Sequence, residues 1–393
     1  MAFTAYRDLL RAPSVAWLLA TSLLGRLPFG MVGLAVLLAV TQGTGSYGRA
    51  GLVTAAYVVG SGLAQPFVGR AMDRRGRRGV LVPVACANAV LLITLALSIG
   101  APIWALLGVA VLAGATQPPL AAAVRSLWPL LLTGPRRESV FALEATMQEL
   151  TFIAGPALVA GLAVLWGPRV ALATVGVIAL VGTLGFVRDP AVATVAAAQP
   201  EHPHRGGALR SVPLRRLMAV ALSIVAALSM VDLGVVAFVS GRTASASAGL
   251  ALAVWSAGSL VGGLAYGARR ATKPWPLGWM VLAVSVHFAV LALATSTAVL
   301  VGLLFLGGTT VAPTLARLYS EVGESVPERV AAEAFSWVAT SMLAGSSIGS
   351  AVGGWTVDLS SARWCFLVAA MLTTFGSLAV HRLPRLPTAE SVG

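Results

Sequence analysis

Leu112-Ala113-Gly114-Ala115-Thr116-Gln117-Pro118-Pro119 and Leu306-Gly307-Gly308-Thr309-Thr310-Val311-Ala312-Pro313 share the spacing L-x-G-x-T-x-x-P, 194 residues apart. A second pair of positions keeps the same order: Glu144 precedes Gly155, and Glu333 precedes Gly345, with spacings that differ by one residue. Each pattern lies in a long apolar run, so the chain reads as a membrane unit duplicated in parallel. Two helical bundles related by an axis along the membrane normal place a site between them near the midplane.

The rest of the chain supports that reading. Of 393 residues, 58% are hydrophobic and 10% charged, against about 25% charged in a soluble domain. Its 42 glycines follow no collagen period and suit close packing of transmembrane helices. A hydrocarbon core of about 30 Å takes about 20 residues of helix. Runs of that length predict twelve helices over 14–40, 48–69, 80–99, 102–124, 140–164, 170–187, 217–240, 247–267, 276–295, 298–317, 330–354 and 364–381. Unpaired backbone groups are too costly in lipid for open strands, and no run shows barrel alternation. The fold class expected is therefore all-α membrane protein, with a first six-helix bundle over 1–187, a proline-containing basic linker over 188–216 and a second bundle over 217–393.

The net charge of +13 also suits a nucleic-acid binder, but its distribution argues for topology. With the first residue in the cytoplasm, Arg49, Arg169, Arg242 and Arg363 fall outside and Arg26 falls within a span. The other basic residues fall on the cytoplasmic side, as the positive-inside rule requires. The expectation is a multi-pass protein of the inner (cell) membrane with both termini cytoplasmic and basic loops facing anionic lipid. No nucleic-acid partner is expected. Cys86 and Cys365 sit far apart in spans and suggest neither a disulfide nor a metal site. His202 and His204 in the linker lack further ligand types, so no metal or other cofactor is expected. The run from Ser14 to Val40 is read as the first helix rather than a signal peptide.

After the second span comes Gly69-Arg70-Ala71-Met72-Asp73-Arg74-Arg75-Gly76-Arg77-Arg78. This resembles the helix 2–3 loop signature, G-x-x-x-D-R-x-G-R-R, of the major facilitator superfamily, and the twelve spans extend the likeness over the whole chain. Asp73 can pair with an arginine or accept from a helix N-terminus, a latch that is made in one conformation and broken in another. Gly69, Asp73, Arg74, Gly76, Arg77 and Arg78 form that candidate cytoplasmic latch, whereas Arg70, Arg75 and Arg78 can also be read as topology charges alone. The matching Gly267-Ala268-Arg269-Arg270-Ala271 lacks the aspartate, so the latch is expected to be asymmetric. In the fifth span, Gly155-Pro156 with Gly161 resembles the G-P-x-x-x-G element of the twelve-helix drug/proton antiporter branch, which implies export and a hinge at Gly155, Pro156 and Gly161. The chain departs from that branch in having Gln117 but no arginine inside the fourth predicted span.

Ionisable groups at mid-depth are costly and face a cavity or one another. Arg26, about twelve residues into the first span, therefore needs a partner. Glu149, at similar depth in the fifth span, is the leading candidate. Arg26, Glu149 and Asp232 form the expected proton-coupling set, and the Arg26–Glu149 pair reads equally as a permanent structural ion pair. Glu144 and Glu333, nearer the cytoplasmic ends, are expected to be water-accessible gate residues paired with loop arginines. His287 in the ninth span reads as a hydrogen-bonded structural residue. Tyr57, Gln65, Gln117, Gln148, Trp255 and Trp337 are the polar and aromatic side chains most able to line a cavity for an amphipathic molecule.

The only lysine, Lys273, precedes Pro274, so no phosphate-cradling loop exists and ATP hydrolysis is excluded for this chain. Gly345-Ser346-Ser347-Ile348-Gly349 matches G-x-S-x-G, but it lies mid-helix in a glycine packing stripe rather than on a strand-to-helix elbow. The expected activity is not enzymatic. It is proton-coupled export of a small amphipathic organic substrate by alternating access, carried out by a monomer. The alternatives are import or uniport of a metabolite, and a non-transporting membrane sensor.

Overall fold

The computed structural model describes residues 2–12, 14–194, 207–240, 246–268 and 275–381. His202, His204, Arg269 and Arg270 lie outside the described residues. The long helices of the first half are α1 (Val15–Thr44), α2 (Tyr47–Arg75), α3 (Arg77–Leu97), α4, α5 (Pro135–Trp166) and α6 (Pro168–Val187). Those of the second half are α7 (Val212–Ser240), α8 (Ala246–Gly267), α9 (Leu277–Leu291), α10 (Thr297–Ser325), α11 (Ala331–Leu359) and α12 (Ala362–His381). Helix α4 runs in three pieces, Ile103–Ala115, Leu120–Arg125 and Trp128–Leu131. Pro118 and Pro119 supply no amide hydrogens and disfavour helical backbone before them, which accounts for the first break.

The packing repeats with a shift of six helices. In the first half α1 packs on α5 and α6, α2 on α4, and α3 on α6; in the second, α7 packs on α11 and α12, α8 on α10, and α9 on α12. The glycines of L-x-G-x-T-x-x-P explain one of these pairings. A Cβ on Gly114 would come within 2.8 Å of the Tyr57 backbone on α2, and one on Gly308 within 3.0 Å of the Ser259 backbone on α8. Leaving out the side chain lets paired backbones touch, which is how helices gain packing energy in lipid. Gly345 and Gly349 likewise lie against the α7 backbone at Leu222 and Ala226, and Ser346 bonds Ser229 on α7 at 3.0 Å.

Several helices overrun their predicted limits. Helix α5 begins at Pro135, where proline suits the first helical turn, and α4 continues past residue 124 to Leu131. The α2–α3 turn and the linker lie at one end of the bundle, called the linker end below; the opposite end is the far end. The halves meet through α2 with α11, α5 with α8 and α10, and the Leu120–Arg125 piece of α4 with α11.

Candidate functional site

At the linker end the halves are joined by polar contacts to helix termini. The Asp73 carboxylate, at the end of α2, accepts from the backbone amides of Ala332 at 3.1 Å and Glu333 at 2.8 Å. These belong to the first turn of α11, whose amides have no intrahelical acceptor and whose dipole favours negative charge. Gly69 makes the approach possible, because a Cβ there would sit 2.8 Å from the Ala332 carbonyl and against the Ser336 hydroxyl. Arg70 pairs with Glu333 at 2.7 Å. Gly76 turns the chain with φ +81°, and Arg77 turns inward, donating to Ser126 Oγ at 2.9 Å. Arg74 and Arg78 remain exposed.

The second half is held in the opposite sense. Tyr6 donates to the Leu264 carbonyl at 2.8 Å and Ser139 to the Gly267 carbonyl. Hydroxyls thus satisfy the last turn of α8, where acceptors are left over and a carboxylate would be repelled. Between these latches, Glu138 accepts from Arg317 at 2.9 Å and from Tyr266 at 2.6 Å, and Arg137 pairs with Glu324.

Deeper lies a cluster of buried charge. Arg26 on α1 donates to Glu144 Oε1 at 2.9 Å, and Arg125 on α4 donates to Glu144 Oε2 at 3.0 Å. Glu144 is fully buried, and the side chains of Arg26 and Arg125 are 9% and 5% exposed. Arg125 also donates to Gln148 at 3.1 Å and lies 3.7 Å over the ring of Tyr319 on α10. The 194-residue repeat maps Arg125 onto Tyr319, so a repeat-related pair meets face to face between the halves.

Two sequence expectations change here. The partner of Arg26 is Glu144 rather than Glu149, because α5 starts a turn earlier and carries Glu144 to the depth of Arg26. The same overrun seals Glu144 from water, so it is not an accessible gate acid; Glu333 is buried as well, although it does pair with an arginine of the α2 terminus. Helix 4 does hold an interior arginine. Arg125 lies one residue beyond the span expected over 102–124, because basic residues usually end a span, and only tertiary packing supplies the carboxylate that keeps it inside.

Glu149 faces the other half. Ser259 Oγ on α8 donates to it at 3.3 Å, and Asp232 on α7 lies within electrostatic reach. Asp232 keeps accessible surface and Glu149 is half-buried.

The profile of the Major Facilitator Superfamily matches residues 18–316. The chain belongs to this family. No curated protein matches it in sequence. Among solved structures, the human organic anion transporter MFSD10 (TETRAN) is 18% identical, with a TM-score of 0.73 over 93% of this chain and 98% of its own. A bacterial homologue of the iron transporter ferroportin, in an outward-facing state with soaked iron, is 17% identical, with a TM-score of 0.71 over 94% and 99%. The proton:xylose symporter XylE bound to 6-bromo-6-deoxy-D-glucose is 13% identical, with a TM-score of 0.69 over 92% and 94%. These likenesses show the shared fold.

Within this facilitator the expected cargo-lining residues separate into two groups. Tyr57 is 2% exposed in the apolar core of the first half, and Gln117 is tied to Ser61, which donates at 2.7 Å, with Gln65 donating to the same hydroxyl. Trp255 is wedged edge-on against Phe288 inside the second half. Gln148 and Trp337 are half-buried where the halves meet, the latter donating to Glu333 at 3.4 Å. Gly155 of the α5 element packs on Gly30 of α1, where a Cβ would come within 2.8 Å of backbone; Gly161 has nothing within 4 Å. His287 packs against Gly307. Sequence reading missed Tyr6, Ser139, Glu138, Arg317 and Tyr319. Tyr319 alone had a signal, as the repeat partner of a buried arginine.

Proposed function

We propose that this facilitator is a proton-coupled exporter of a small amphipathic organic compound, working by alternating access in the inner membrane with its linker end and termini cytoplasmic. The reading rests chiefly on Glu149 and Asp232. They come from opposite halves and lie within electrostatic reach of each other, and the hydrogen-bond partner of Glu149 is the hydroxyl of Ser259 rather than a cation. Two ionised carboxylates in that position repel, and a proton relieves the repulsion. Arg26 leaves the coupling set because it is bound to Glu144, which it shares with Arg125, and not to Glu149. The polar contacts named between the halves run from the linker end to about mid-helix, ending at Glu149–Ser259 and Thr340–Gly62. With the linker end taken as cytoplasmic, these contacts support a state closed on that side, in which protons would enter from the far end.

The two bundles, over 1–187 and 217–393, rock about the interface where the halves meet, with 188–216 as the tether. Exchange follows if that interface closes around one guest at a time, a proton entering or cargo leaving. Inverted vesicles containing the protein test direction: acidifying the lumen should drive accumulation of an amphipathic dye chosen from a transport screen. In Glu149→Gln and Asp232→Asn that pH-driven uptake should vanish while dye counterflow without a gradient continues. Full pH-driven uptake in both variants would overturn the proton assignment, and uptake favoured by an alkaline lumen would overturn export.

A further inference from the structure

The charges around Glu144 do not balance. Arg26 and Arg125 are each monovalent, and Glu144 can neutralise only one of them. Among the described residues the ionisable neighbours that bear on Arg26 are Glu144, Arg125 and the neutral Tyr319. One positive charge therefore stays uncompensated in a region where all three side chains are at least nine-tenths buried. Keeping an unpaired ion inside a membrane protein is expensive and marks a site that something else completes.

The two arginines are not equivalent. Arg125 directs Nε to Glu144 and Nη2 to Gln148, and its flat face is covered by Tyr319, a contact suited to a cation. Among the described residues Arg26 makes one hydrogen bond, from Nη1 to Glu144. Its side chain keeps 9% of its surface accessible. Arg26 on α1 lies close enough to Tyr319 of α10, in the other half, to feel it electrostatically.

We infer that Arg26 is an anion-binding residue: its free guanidinium edge takes one monoanion, a carboxylate or a halide, which neutralises the Arg26–Glu144–Arg125 cluster. A carboxylate fits best, because two parallel N–H donors match its two oxygens. The site uses neither Glu149 nor Asp232 and stands or falls apart from the proton reading.

Thermal unfolding of the purified full-length protein in low-salt detergent solution tests it, with sodium benzoate, neutral benzamide and sodium chloride as probes. Benzoate should raise the unfolding temperature, benzamide should not, and the benzoate response should disappear in Arg26→Gln. If chloride matches benzoate the ligand is the halide; a response to benzoate alone identifies an organic acid group. Should Arg26→Gln fail to fold, Arg26→Lys keeps the charge without the fork and should weaken benzoate binding by about tenfold, roughly one lost charge-assisted hydrogen bond. Equal responses to benzoate and benzamide, or an undiminished benzoate response in Arg26→Gln or Arg26→Lys, would overturn the assignment.

Discussion

Glu144 serves two guanidiniums with one carboxylate, and that imbalance sets the order of the variants around it. Glu144→Gln leaves Arg26 and Arg125 facing each other with no counter-charge, so it should cost about 3–5 kcal/mol, the usual range for breaking a buried pair from one side. Arg26→Gln leaves Arg125 and Glu144 as a balanced pair and should cost much less. Unfolding temperatures in the absence of added anion check the order, and equal losses would contradict the charge count. Asp73 works through the α11 terminus rather than through another charge. Asp73→Ala should release that cap, worth about 1 kcal/mol, and open the linker end several-fold more often. Maleimide labelling of Ser336→Cys, in a chain lacking Cys86 and Cys365, reads that opening, because Ser336 is fully buried beneath Gly69. The motif around Asp73 was legible from spacing alone, since it lies within ten consecutive residues. The Arg26–Glu144 pair spans 118 residues, and no spacing rule reaches that far.

At the scale of an element, α5 separates two meanings of its glycines. Gly155→Ala places a methyl group against the Gly30 backbone and should lower the unfolding temperature, as overpacking commonly costs about 1–3 kcal/mol. Gly161→Ala meets nothing within 4 Å and should leave stability unchanged. Loss of transport in Gly161→Ala with stability intact would show that residue 161 bends during the cycle. The linker offers a second case. Gly207 lies against the Arg70–Glu333 pair, where a Cβ would come within 2.6 Å of Arg70 Nη2 and collide with the Glu333 carboxylate, and Ser211 donates to the Ser325 carbonyl at 3.2 Å. Gly207→Leu should therefore loosen the closed end and raise Ser336→Cys labelling as Asp73→Ala does. Helix number and rough limits came from apolar run length, because lipid imposes one length on all spans. The overruns of α4 and α5 escaped it, because apolar composition says nothing about a charged turn that a neighbouring helix neutralises.

For the whole molecule, the closed linker end predicts that transport needs these contacts to part. Cysteines at Gly69 and Ser336, where a Cβ on residue 69 would lie directly against the Ser336 Cβ, joined by a disulfide, should stop exchange, and reduction should restore it; continued exchange in the cross-linked protein would exclude rocking about this interface. The sequence by itself determined the membrane class, the duplication and the two-bundle plan, since hydrophobic length and repeat spacing are properties of a linear chain. Only the tertiary structure decided which charges meet. Arg26 joined Glu144, Arg125 moved from just beyond a span to the interior, and Glu149 came to face Asp232, because electrostatic partners are chosen by depth and helix rotation. A shift of one turn, about 5.4 Å, exchanges one partner for another, and only the packed helices set that register.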